Sequence, residues 1–247
     1  MMKLVKTCNL LTGLIIMLTT LPVKSAEGFW LDQYNALYYL ITLQLDSELI
    51  QMKARGSKLL ILQSDSLPSI VSNFIAWRAK DVARLESIAW IQKPNKHNLV
   101  HASQLTGFLG VQIDDHYFSN PPISLFELQK ILKQKQLWCS FQPYQFSFDL
   151  ATKCDQADIQ IYRKSCLETL DMAWHMGITG NRKIAVATYE DGSRMGEHLS
   201  NCISNKLNHV ETRHFIFKWK NQEVWTKKVW HLLAKLRQRM QISYKNT

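Results

Sequence analysis

No glycine-rich phosphate loop follows any strand-like stretch of this 247-residue chain. That absence weighs against a nucleotide-binding, doubly wound open sheet. There is no His-x-His and no His-Glu-x-x-His, so the commonest zinc-hydrolase patterns are missing. Cysteines are few, and their spacings do not match a zinc site. Lysine and arginine are spread along helical positions with no tight basic block, and no nucleic-acid module is present. No linker, internal repeat or second domain interrupts the chain. The longest apolar run near the start, Leu10 to Leu21, is about half the ~20 residues that a membrane-spanning helix needs.

What is present begins with that run. Lys3 and Lys6 precede it, and Pro22-Val23-Lys24-Ser25-Ala26 supplies small residues after it. This is the layout of a secretory signal peptide over residues 1–25, with an uncleaved membrane anchor as the alternative. The expected product is exported, periplasmic or secreted, and touches a membrane only through an uncleaved signal. Loss of Lys3, Lys6 and Lys24 lowers the net charge from +10 to +7. The chain is 46% hydrophobic, enough for a full core, so residues 26–247 read as one folded domain. Cys139, Cys154, Cys166 and Cys202 remain, an even count that permits disulfides in an exported chain. Cys154 and Cys166 flank one strand and are the candidates to meet. Cys139 reads as a small core residue inside a strand.

Strand-like and helix-like runs alternate eight times. The strands are expected at 28–32, 59–65, 87–92, 110–113, 136–142, 158–163, 184–189 and 214–219. Such alternation implies a parallel sheet, and eight units imply an α/β fold of the (β/α)₈ TIM type, a single small barrel. The first helical segment is marked by Leu40, Leu43, Leu49 and Met52 and ends near Arg55-Gly56. Ser124 and Glu127 have the capping-box spacing at a helix start. The fourth strand, Gly110-Val111-Gln112-Ile113, runs into Asp114-Asp115-His116-Tyr117-Phe118. Val111 and Ile113 face one way, Gln112 and Asp114 the other, as a barrel strand with an apolar outer face requires.

Barrel chemistry gathers at the carboxyl ends of the strands. Those ends supply Asp32, Gln63, Asp65, Gln92, Asp114, Asp115, His116, Gln142, Tyr162, Arg163, Glu190 and Asp191. Leaving so many polar groups buried and unpaired would be costly, so a shared polar cleft is the economical reading. Two carboxyls facing one bond are what glycoside hydrolysis needs. Asp114 is the expected nucleophile or base and Glu190 the proton donor, drawn from different strands because neighbours on one strand point apart. Asp115 and Asp191 stand in reserve. His116, Tyr117, Trp138 and Trp219 join Asp32, Gln63, Asp65, Gln92, Gln142, Tyr162 and Arg163 as expected substrate-binding residues, the tryptophans as flat faces for sugar rings. No cofactor and no metal is expected on this reading. A catalytically silent carbohydrate-binding barrel is one alternative. A metal-dependent hydrolase using Asp114, Asp115 and His116 is another.

The run Gly110-Val111-Gln112-Ile113-Asp114-Asp115-His116-Tyr117-Phe118 resembles the Gly-[hydrophobic]-x-[hydrophobic]-Asp-Asp-Tyr signature of glycosyl-hydrolase-like barrels. That group has exported bacterial enzymes acting on peptidoglycan glycan strands. Gly28-Phe29-Trp30-Leu31 resembles the first strand of the same group. The resemblance implies a (β/α)₈ fold, an extracytoplasmic location, a polysaccharide or peptidoglycan glycan as partner, and catalytic acids at Asp114 and Asp115. His116 stands where the group has Tyr, with Tyr117 following. An endo-polygalactosaminidase-like barrel also ends its fourth strand in Asp, so the motif does not fix the sugar.

Overall fold

A computed structural model of the chain describes residues 28–162, 164–178, 184–190, 211–216 and 231, with the backbone alone for 188–190 and 211–216. The strands are β1 Gly28–Leu31, β2 Leu59–Gln63, β3 Glu86–Ile91, β4 Gly110–Ile113, β5 Gln136–Phe141, β6 Gln156–Gln160, β7 Ile184–Glu190 and β8 Glu211–Ile216. They pair in sequence order, all parallel, and β8 pairs back onto β1. The fold is therefore α/β with a TIM-like parallel sheet closed on itself. The helices are α1 Gln33–Ile41, α2 Leu45–Ala54, α3 Ser69–Ala83, α4 Lys96–Ser103, α5 His116–Ser119, α6 Leu125–Leu132, α7 Phe148–Thr152 and α8 Cys166–His175. The helices expected after β7 and β8, the signal segment 1–25, and Cys202 lie outside the described residues. No described helix is long and apolar enough to cross a membrane.

Two-residue alternation divides the strands into two faces. Phe29, Leu31, Leu60, Leu62, Ala89, Ile91, Val111, Ile113, Leu137, Phe141, Ile159 and Val186 pack outward against the helices in one large apolar cluster. Trp30, Ile61, Ile88, Trp90, Trp138 and Ala187 form a second, smaller cluster in the lumen. Gln112 belongs to the inner face: its side chain accepts from Trp30 Nε1 at 2.6 Å and donates to Asp158 Oδ2. A lumen this wide must be filled by side chains, and three tryptophans fill it.

Several expected boundaries move. The first helical segment is two helices, because Leu43 takes a positive φ of 59° between α1 and α2. β6 begins two residues earlier than its apolar run suggests, and β8 three residues earlier, so Tyr162 lies beyond the end of β6. Ser124 does cap α6 with Glu127 in a capping box. The cysteine reading is corrected: Cys154 bonds to Cys139, not Cys166, with Cα atoms 6.0 Å apart. The outward face of β5 carries Cys139, and the turn after α7 brings Cys154 back beneath it. This crosslink closes a loop of sequence separation 15, a constraint on the unfolded chain of about 3 kcal/mol. Cys166 is also disulfide-bonded.

Gly110 opens β4 where the backbone of β5 presses closest. A Cβ built there would stand 2.7 Å from the Gln136 carbonyl oxygen and 2.9 Å from Gln136 Cβ. A methyl group has no room without parting the two strands. Gly110→Ala is expected to lower stability by about 1–3 kcal/mol in urea unfolding. A change within about 0.5 kcal/mol, the range of an ordinary surface substitution, would show that β4 and β5 yield freely here.

Candidate active site

The ends of β4, β5 and β6 meet at the carboxyl-terminal mouth around Asp114. Alternation on β4 turns Asp114 inward, and its side chain is buried at 4% exposure. β4 stops at Ile113, and Asp115 has helical backbone angles, φ −54° and ψ −29°. The chain therefore turns between the two acids. The expectation that they point apart holds for residues within a strand and fails here, because the strand ends before the second acid. Each carboxyl group presents an oxygen within 4.8 Å of the other. His116 Nδ1 lies 3.4 Å from Asp114 Oδ2 and 3.2 Å from Asp115 Oδ1, on a side chain that is 67% exposed.

A lattice of amides holds this pair. Gln160 on β6 donates from Nε2 to Asp114 Oδ1 at 2.9 Å and to Ser140 Oγ at 2.6 Å. Gln142, just past β5, donates to Gln160 Oε1 at 2.7 Å and to Asp115 Oδ2 at 3.0 Å. Gln145 donates to the Asp115 carbonyl at 3.2 Å and to Ser119 Oγ at 3.0 Å. The donors along this lattice are neutral. A buried carboxylate served by amides keeps little of the stabilisation that water gives its charge. Burial first, then the neighbouring charge of Asp115, raises the Asp114 pKa from 3.8 to about 7. Tyr162 stands close enough to feel Asp114, Asp115 and Asp158. Burial, then those charges, push its phenol well above its ordinary value, so it remains a proton-bearing donor.

The other expected site residues divide. Gln63, Asp65 and Gln92 form a second polar group at the ends of β2 and β3. Gln63 donates to Gln92 Oε1 at 2.8 Å and to Asp65 Oδ2 at 3.2 Å. Asp65 also accepts from the Gln92 and Lys93 backbone N–H groups at 3.0 and 3.1 Å. Burial raises the Asp65 pKa, and those donors oppose the rise. Asp65 thus ties two strand ends together. Asp32 is the N-cap of α1: Oδ1 accepts from the Tyr34 and Asn35 N–H groups at 2.9 and 3.1 Å, and Oδ2 from Asn35 Nδ2 at 2.6 Å. Tyr117 is buried, and its hydroxyl donates to the Ile123 carbonyl at 2.6 Å, fixing the loop behind the mouth. Trp138 is enclosed in the lumen with its indole N–H on Gln136 Oε1 at 2.9 Å, so its face is not open to a sugar. Each of these residues, expected to bind substrate, has a hydrogen-bond partner within the protein.

Arg163, Asp191 and Trp219 lie outside the described residues, as does the Glu190 side chain. The backbone of Glu190 pairs with Ile216. On β7 Val186 faces the outer layer and Ala187 the lumen.

Sequence reading missed Gln160, Ser140 and Gln145. Gln160 was taken for a mid-strand residue because the end of β6 was placed too late, and Ser140 because it lies inside β5. Their even spacing with Tyr162 and Gln142 was the available signal. Asp114, Asp115 and His116 also offer one ligand atom each within 4.8 Å of one another, a possible three-ligand cation set.

No protein-family model matches the chain, and no curated protein matches it in sequence. Solved structures match its shape. A β-1,3-glucanosyltransferase from Rhizomucor miehei, an active-site mutant in complex with laminaritriose, aligns over 77% of this chain and 86% of its own at TM-score 0.52 and 8% identity. An alphaproteobacterial enolase with bound Mg aligns over 82% of this chain and 56% of its own, at TM-score 0.49 and 15% identity. The L-Ala-D/L-Glu epimerase of Bacillus subtilis aligns over 77% and 54%, at TM-score 0.46 and 10% identity. This chain spans about half the length of those last two. At these identities the likeness is one of fold.

The Asp114 proton has a consequence for stability. Its folded pKa lies above the ordinary 3.8, so the folded state binds the proton more tightly than the unfolded chain does. The resulting stabilisation is complete below 3.8 and is lost as pH rises through about 7. Asp114→Asn is expected to flatten that decline and to melt higher than the native chain at about pH 8, where the native carboxyl is forced to ionise. Parallel melting curves for the two proteins across this range would show that Asp114 ionises freely.

Proposed function

We propose that the chain is an exported glycoside hydrolase acting on a polysaccharide or cell-wall glycan. Asp114 is the proton donor, and Asp115 is the carboxylate that shares and returns its proton. The observation that carries this reading is a buried acid at the barrel mouth whose pKa stands near 7 beside a second acid. A general acid must hold its proton at the working pH and still release it to a leaving oxygen, and a pKa near neutrality meets both needs. The Rhizomucor miehei neighbour, a β-1,3-glucanosyltransferase in complex with laminaritriose, supports a glycan as the ligand. The Cys139–Cys154 disulfide supports an oxidising, extracytoplasmic setting.

The roles differ from those the sequence suggested. Burial makes Asp114 the acid, where alternation alone made it the nucleophile or base. The two carboxyl groups bring oxygens within 4.8 Å of each other, closer than the about 5 Å that flanks a scissile bond, so the pair supplies the acid half. The group across the bond is assigned to the end of β7. Glu190 and Asp191 are its candidates.

A second reading has its own observation. Asp114, Asp115 and His116 converge closely enough to share one cation. A hard divalent ion would suit the two carboxylates, the imidazole would complete one face of its shell, and bound water would become the nucleophile.

Asp114→Asn should reduce release of reducing ends by about 10³-fold with the fold retained. The native rate should fall as pH rises above about 7, as the acid loses its proton. Either Glu190→Gln or Asp191→Asn should also lower the rate, which identifies the acid across the bond. Chelation with EDTA should leave the rate unchanged; a loss reversed by Mg²⁺ or Mn²⁺ would establish the metal reading. Full activity in Asp114→Asn would refute the proton-donor assignment, and glycan binding without any turnover would make the chain a silent carbohydrate-binding barrel.

A further inference from the structure

Trp138, expected to stack on a sugar ring, is lumen core, and Trp219 lies outside the described residues. The rim offers another aromatic. Immediately after β5 the chain makes a single 3₁₀ turn, Pro143–Gln145, with Tyr144 at its centre. Tyr144 is 81% exposed, and both its flanking glutamines are bound to the acid pair. Gln142 reaches Asp115 Oδ2 at 3.0 Å, and Gln145 reaches the Asp115 carbonyl at 3.2 Å. The turn is also closed on itself, with the Gln142 N–H donating to Gln145 Oε1 at 3.0 Å. Pro143 fixes one more backbone angle. A large ring is thus presented to solvent on a segment whose neighbours have little freedom left to lose.

From this geometry we infer that Tyr144 is a stacking platform for a pyranose ring of a neutral glycan, in a subsite next to the Asp114–Asp115 pair. The inference rests on the glycoside hydrolase reading of that pair. A flat ring with a polar tip suits a sugar, which has an apolar face and a rim of hydroxyls. Because the turn is already ordered, stacking costs little conformational entropy. The sign of the mouth selects the ligand. Asp32, Asp65, Asp114 and Asp115 stand at the strand ends beside Gln63, Gln92, Gln142 and Gln160. The acids Asp32, Asp65 and Asp115 disfavour an anionic polymer, while amides can donate to and accept from neutral hydroxyl and acetamido groups. The same glutamines that hold the turn hold Asp115, so a sugar on Tyr144 lies in a frame rigidly coupled to the acids.

The test uses the full chain with two soluble neutral probes, laminarin and glycol chitin, and an anionic one, carboxymethyl cellulose. Retardation in native gels containing each polymer measures binding, and reducing-end release gives KM and kcat. Tyr144→Ala is expected to raise KM on the bound neutral polymer about ten-fold, with kcat changed less than two-fold. Tyr144→Phe keeps the ring and should restore KM to within about two-fold of the native value. Native retardation should be stronger in a neutral polymer than in carboxymethyl cellulose. If Asp114→Asn abolishes turnover but Tyr144→Ala leaves KM and retardation unchanged, the platform is refuted while the hydrolase reading stands. If Tyr144→Ala lowers kcat and leaves KM unchanged, the residue positions Asp115 and the platform is again refuted. If the native chain neither binds nor cleaves either neutral polymer, both fall together.

Discussion

A carboxyl group taken out of water must find compensation for its charge or keep its proton. Asp114 keeps its proton, and the barrel mouth is organised around that constraint. The Asp114 hydrogen-bond donor is an amide, Gln160, and its nearest charged neighbour is the acid Asp115. A guanidinium in the position of Gln160 would hold Asp114 ionised and leave it useless as an acid. The choice of glutamine at this point is therefore part of the chemistry. Gln142 extends the same logic to Asp115, and Ser140 accepts the second amide hydrogen of Gln160, so each member of the lattice is directed by the next. Below it, Trp30, Gln112 and Asp158 continue the hydrogen bonding into a lumen that tryptophan rings close to water.

The alternation of the sequence made much of this legible. Apolar Val111 and Ile113 against polar Gln112 and Asp114 identified β4 and its inward face, and eight such runs identified a parallel sheet. The pattern fails where the chain leaves regular structure. Asp115 shares the site with Asp114 because the backbone turns helical after Ile113, and strand periodicity carries no information past a strand end. The same blind spot put the end of β6 too late and hid Gln160. Strand ends are set by where neighbouring backbones stop pairing, which is a property of the whole sheet.

Tertiary context decided the remaining differences. Asp32 had the residue type and position of a substrate ligand, yet the first turn of α1 offers it N–H groups nearer than any ligand. Trp138 had the ring of a sugar platform, but the lumen needed volume. Cys139 looked like a small core residue, and its partner became apparent only once α7 returned the chain beneath β5. In each case local sequence named the chemical capacity of the side chain, and packing decided where it was spent. Fold alone does not assign a reaction. The assignment rests on the acid pair.

That pair can be observed directly. Carboxyl-carbon NMR of the ¹³C-aspartate-labelled protein, with Asp114→Asn used to assign the resonance, reports the ionisation of Asp114 itself as pH is varied. The Asp114 resonance is expected to move through a step near the value of about 7 that burial and the neighbouring Asp115 produce. An Asp114 transition near 3.8 would mean that the carboxyl is ionised at neutral pH, and the proton-donor account of the site would be wrong.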